Sequence, residues 1–218
     1  MVFENFNQQY PTVMQRYMDG IDLIGCDSIR NPNSGVSRTV ALASLKLDHL
    51  AASFLVDATH FFKIEPSWEW PNLTSLVITS KLLTPGQDST KIAVMLQGAA
   101  SAAMKMPRLE TMEIWNGRKG LAALFKYQAF RDISQANITW RGTWKLTMEP
   151  SIIRAWEAVA HQYNAWSLNV VQEKLDRANI GSHGDAIRYL MLSSPVIRPI
   201  SLQQIQIEQK CMESVATV

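Results

Sequence analysis

The stretch MPRLETMEIWNG, Met106 to Gly117, carries the LxxLxL spacing of a leucine-rich repeat, with Leu109, Met112 and Ile114 at the inward positions. Successive side chains of a strand point to opposite faces, so the same frame turns Glu113 and Trp115 outward. The frame recurs on both sides of this stretch. LDHLAAS places Leu47, Leu50 and Ala52 inward, LTSLVIT does so with Leu73, Leu76 and Ile78, and IRYLMLS with Ile187, Leu190 and Leu192. ISQANITW from Ile133 and WSLNVV from Trp166 are degenerate copies. The starts lie roughly 21 to 36 residues apart, straddling the usual repeat length, so irregular repeats with insertions are expected.

The connecting segments carry helical periodicity. Asp88 is a good N-cap for a helix to Ala103 that gathers Ile92, Met95, Leu96, Ala99 and Ala103 on one face. Ser151–Tyr163 does the same with Ile152, Trp156, Val159, Ala160 and Tyr163, after Pro150. THFF after Asp57 and VVQEKLDRA read as shorter helical pieces. The expected fold is therefore α/β: a leucine-rich-repeat-like curved solenoid, with a short parallel sheet and helices on its outer face. One domain is expected over residues 1–218, with an irregular lead-in over 1–44 packed on the body, the solenoid over 45–209 and a tail over 210–218.

Composition narrows the function classes. Lys plus Arg number 21 against 19 Asp plus Glu, a net charge of +2, and the charges are interspersed, which argues against an electrostatic nucleic-acid binder. Cys26 and Cys211 are far apart and form neither a zinc pattern nor a disulfide framework. No run reaches the ~20 apolar residues of a membrane span, and the N-terminus lacks a signal-peptide pattern, so a cytoplasmic location is expected. Ten Met and seven Trp suit a core or an irregular apolar pocket.

FLVDATHFF, SWEWPNLTSLVITSKLLTP, MPRLETMEIWNGRKGLAALFKYQ, ITWRGTWKL, AWEAVA and IGSHGDAIRYLMLSSPVIRPISLQQIQIE, in this order between residues 45 and 209, carry a family resemblance. The chain resembles a fungal family of unknown function usually met as the C-terminal, leucine-rich-repeat-like part of F-box proteins. The resemblance implies a region that recruits a target protein, although residues 1–44 show no F-box pattern.

Phosphate-loop, dinucleotide, hydrolase-elbow, zincin and acidic diphosphate motifs are all missing, so no metal or cofactor is expected. SHGDAI, Ser182 to Ile187, suits a turn and an N-capped element better than a triad. In WRGTWK, Trp140 is expected in the core and Arg141 to be solvated or ion-paired. The outward strand positions are small, hydroxylic, apolar and aromatic, with Glu113 the one carboxylate, and such a wall suits a small-molecule pocket.

From that wall a cofactor-independent cyclase or pericyclase of the Diels-Alder type is expected, folding a large apolar terpenoid or polyketide in fungal secondary metabolism. Glu113, Trp115, Tyr189 and Asn137 are the candidate catalytic residues, as base or hydrogen-bond donors. Ser53, Val77, Thr79, Thr111, Thr139 and Met191 are the candidate substrate contacts. The alternative is a non-catalytic protein-interaction module. A closed cavity on the strand face would mark the enzyme, an open groove the module, and a face filled by the chain itself would count against the enzyme.

Overall fold

The computed structural model describes residues 2–4, 33–163, 167–203 and 205. Most of the expected lead-in, residues 5–32, and the whole of the expected tail lie outside the described residues. The strands are β1 (Val2–Glu4), β2 (His49–Asp57), β3 (Ser75–Thr79), β4 (Thr111–Arg118), β5 (Leu121–Phe130), β6 (Gln135–Gly142) and β7 (Ser167–Lys174). The helices are α1 (Ser34–Ala43), α2 (Ala58–Phe61), α3 (Ser89–Ala103), α4 (Pro150–Gln162) and α5 (His183–Leu190).

The seven strands form one mixed sheet in chain order. β1 to β4 run parallel, and in β2, β3 and β4 the LxxLxL frame is in register: Leu50, Leu76 and Met112 form one cross-strand row, Ala52, Ile78 and Ile114 the next. Those rows continue through Tyr127 and Ile138, and through Phe125 and Trp140. All ten side chains are buried beneath the helices, together with Phe61, Leu96, Trp156 and Val159.

The helices form for local reasons. α3 is capped by Asp88, whose carboxylate accepts from the Thr90 N–H at 2.9 Å, and its buried residues include the five expected. α4 starts at Pro150, whose missing N–H costs nothing in the first turn, and buries Ile152, Trp156, Val159 and Ala160. Trp156 lies against both Phe125 and Tyr127, with ring centroids 5.2 and 4.8 Å apart.

Three expectations fail. The sheet is not parallel throughout: the chain reverses at Gly120, which takes φ 72°, and pairs β5 antiparallel to both β4 and β6. VVQEKLDRA is not helical; its β-branched start lies in β7, parallel to β6, and a short 3-10 turn follows at Arg177–Asn179. IRYLMLS is not a strand. Its Ile187 and Leu190 are three apart, a spacing that serves a helix equally well, and the Ser182 hydroxyl accepting from the Asp185 N–H starts α5 instead.

The consequence is a second core. α5 and the chain around it cover the outward face of the sheet, where Ile180, Ala186, Leu190 and Val196 are buried with Ala51, Val77, Trp115, Ala122 and Leu124. Among the described residues no helix is long and apolar enough to cross a membrane.

Burial shapes one titration in the larger core. Desolvation pushes the Tyr127 hydroxyl up from its ordinary 10.0 to about 12, with Tyr163 adding to the rise and Arg131 opposing it. The folded state holds this proton more tightly than the unfolded chain, so its contribution is complete below pH 10 and is lost as pH rises toward 12. Tyr127→Phe is expected to remove the last tyrosinate step in an absorbance titration. It should also flatten the stability loss across that window, which amounts to roughly 2 kcal/mol in the parent chain.

Candidate functional site

The outward face of the sheet has three cross-strand rows. The first is His49, Ser75, Thr111, Gln128, Asn137 and Asn169; the second is Ala51, Val77, Glu113, Lys126, Thr139 and Val171. The third runs from Thr79 through Trp115, Leu124 and Arg141 to Glu173. Strand alternation, read from the sequence, places the outward residues of β2, β3, β4 and β6 as expected.

What covers these rows was not legible. After α5 the chain crosses the sheet as a strap. Arg141 on β6 donates from Nη1 to the Leu190 carbonyl at 2.7 Å; further on, the Ser53 hydroxyl on β2 donates to the Val196 carbonyl at 2.9 Å. Between them, Glu113 on β4 accepts from the Ser193 N–H at 3.0 Å and from its hydroxyl at 2.9 Å. Lys126, opposite Glu113 on β5, places Nζ 3.3 Å from the same carboxylate. Glu113 is fully buried, so its charge is offset by one cation and tied by hydrogen bonds to the strap.

The candidate residues therefore fall into three groups. Glu113, Trp115, Val77, Ser53 and Thr79 lie buried beneath the cover. Thr79 is occupied by the backbone: its hydroxyl donates to the Val56 carbonyl at 2.8 Å and accepts from the Phe54 N–H at 3.0 Å. This holds the irregularity in β2, where Phe54 takes φ 57° and the register shifts between Ala52 and Asp57. Phe54 in turn meets the Trp115 ring edge-on at 5.1 Å.

Tyr189 and Met191 belong to the cover rather than to a strand, contrary to their expected outward strand positions. Tyr189 is in α5, and Met191 caps its C-terminus at φ 52° with its side chain exposed. The third group, Thr111, Asn137 and Thr139, is partly exposed beside the strap. Thus the structure does not gather the four candidate catalytic residues around one opening.

The side motifs settle more simply. Trp140 is core, and Arg141 is ion-paired with Glu173. His49 lies 2.9 Å from the Thr74 hydroxyl. Among the described residues no group of three or more His, Cys, Asp or Glu is placed to hold a metal ion. A cavity of about 360 Å³ lies on the helical side, lined by Phe62, Leu82, Val94, Met95 and Gly98 among others, and no candidate residue is part of its lining.

Lys126, Gln128, Asn169 and Gly117 were missed by sequence reasoning. The first three depend on the antiparallel register of β5 and on β7 being a strand, for which the glycine-bounded turn GRKG was the available signal. Gly117 leaves the space that α5 occupies, since a Cβ there would stand 2.5 Å from that of Ala186.

These features define a mixed α/β protein whose sheet is covered on one face by helices and strapped on the other. The chain belongs to a family of unknown function (DUF6546), whose model matches residues 1–198. No curated protein and no solved structure matches it.

Glu113→Ala is expected to destabilise the chain by about 3 kcal/mol, because it leaves Lys126 without its counter-charge and Ser193 without its acceptor. Glu113→Gln keeps an acceptor and should lose less. Gly117→Ala should cost about 1–3 kcal/mol through overpacking against Ala186. In hydrogen exchange all three should release protection first in the strap, around Ser193, before the amides of β4 and β5.

Proposed function

We propose that this chain is a non-catalytic protein-interaction module, of the kind that serves target recognition in F-box-type proteins of fungi. The observation that carries this is the strap: the face that would have to hold a substrate is occupied by the chain's own α5 and residues 190–196. The leucine-rich-repeat frame in register over β2, β3 and β4 supports kinship with repeat-type recognition domains. The first outward row, beside the strap, is polar and partly exposed, which suits recognition of a protein surface.

A cofactor-independent cyclase is the second proposal, on one observation. The indole N–H of Trp115 is buried and has no hydrogen-bond acceptor among the described residues, as a donor awaiting a substrate carbonyl would. Substrate access would require the strap to lift, breaking the Glu113 and Ser53 contacts together.

The two differ in what accompanies the chain. The tagged full chain, expressed in its native host, is expected to co-purify one protein in near-stoichiometric amount. Deleting the gene should change that protein's level and leave extracted small metabolites unchanged. An altered metabolite profile with no accompanying protein would overturn the interaction module in favour of the cyclase.

A further inference from the structure

The cavity of about 360 Å³ on the helical side has a chemistry of its own. α3 supplies one wall with Lys91, Val94, Met95 and Gly98, which helical spacing sets on a single face. α2 and the residues that follow it supply the other with Thr59, Phe62 and Lys63. The walls meet at Gly98, where an added Cβ would stand 3.6 Å from that of Phe62. From Lys91 to Gly98 the helix advances about 10 Å.

Its polar side chains are two lysines and two threonines, Thr59 and Thr90. Lys63 and Lys91 are exposed, and neither ammonium has an acidic partner among the described residues. No carboxylate belongs to the lining; Asp57 and Asp88, its neighbours in sequence, are each engaged in capping a helix. The Thr59 hydroxyl oxygen is buried and has no hydrogen-bond partner among the described residues. A buried hydroxyl left unpaired is costly, and an acceptor brought by a ligand removes that cost.

These features select an occupant that is apolar along its length and anionic at one end. An acyl chain brings no hydrogen-bonding groups against Phe62, Val94 and Met95, whereas a peptide brings N–H and C=O groups that two threonines cannot satisfy. The two unpaired lysines supply the counter-charge for an anionic head. The volume is at the lower end for a ligand pocket and takes one chain rather than the two of a phospholipid.

We propose that this cavity binds a single-chain carboxylate of the fatty-acid class, with about eight to ten carbons laid along α3. Lys63 and Lys91 neutralise its carboxylate, and the Thr59 hydroxyl donates to it. The site goes beyond the interaction-module proposal and uses no residue of the strand face.

The probe is decanoate, titrated calorimetrically into the full chain below its micellar concentration, with decan-1-ol as the uncharged counterpart. Decanoate is expected to bind saturably at one site, and butanoate at least tenfold more weakly. In the Lys63→Gln, Lys91→Gln double variant the affinity for decanoate should fall at least tenfold while that for decan-1-ol holds. Thr59→Val, of similar shape, should weaken decanoate severalfold and leave Tm unchanged, because the hydroxyl has no partner in the described chain to lose. Gly98→Leu, which fills the place where the walls meet, should abolish binding of both compounds. Should that variant fail to fold, Val94→Glu, at a position 63% exposed, is expected to abolish decanoate binding by repulsion. No saturable decanoate binding, or binding that survives the Gly98 and Val94 changes, would overturn the site. Binding that survives loss of both lysines would overturn its preference for an anion. Loss of the co-purifying protein from Val94→Glu, with no decanoate bound by the parent chain, would overturn the ligand in favour of a protein contact at this cavity.

Discussion

The arrangement depends on the buried carboxylate of Glu113. A charge taken out of water is costly unless a cation and hydrogen-bond donors surround it, and here three groups from two separate places converge. Lys126 comes from the neighbouring strand and is fixed by the hairpin register. Ser193 arrives from 80 residues further along the chain, contributing both its N–H and its hydroxyl. The carboxylate is therefore satisfied only when β5 has folded back on β4 and the strap has been laid down. Antiparallel hairpin and strap are thereby coupled: a sheet that continued the parallel repeat would set no lysine opposite Glu113.

That coupling explains why the protein departs from a simple repeat. In a repeat solenoid one sheet face packs on helices and the other stays open and polar. Here Ala51, Val77, Trp115, Ala122 and Leu124 make part of the outward face as apolar as a core, and it has to be covered. α5 and the strap supply the cover, and Gly117 gives α5 the room to sit close. The cover extends over Ser53, Thr79 and Glu113 as well as the apolar residues, and their polar groups are hydrogen-bonded beneath it.

The helical side was legible from sequence because periodicity reports burial on a single face. Leu50, Leu76, Met112 and their row neighbours lie where the frame puts them, and α3 and α4 bury the residues their spacing selects. The outward face was legible as a set of positions but not as an environment. Uncharged outward residues suit a ligand pocket, and an apolar face covered by the same chain has the same composition. IRYLMLS was ambiguous for a related reason: apolar residues three apart, Ile187 and Leu190, satisfy a strand frame and a helix face alike, and the Ser182 cap decided between them. Thr79 shows the limit most directly, since its role in holding the Phe54 irregularity depends on backbone geometry that no spacing rule encodes.

A strap that crosses a sheet on its face cannot use the main-chain ladder that holds one strand to the next, because those groups are already paired within the sheet. Its own backbone groups must be satisfied by side chains rising from the strands, which is what Arg141, Glu113 and Ser53 do. Holding a crossing segment in this way demands long or polar outward side chains on several strands. A cyclase pocket would demand a continuous apolar wall with few polar groups.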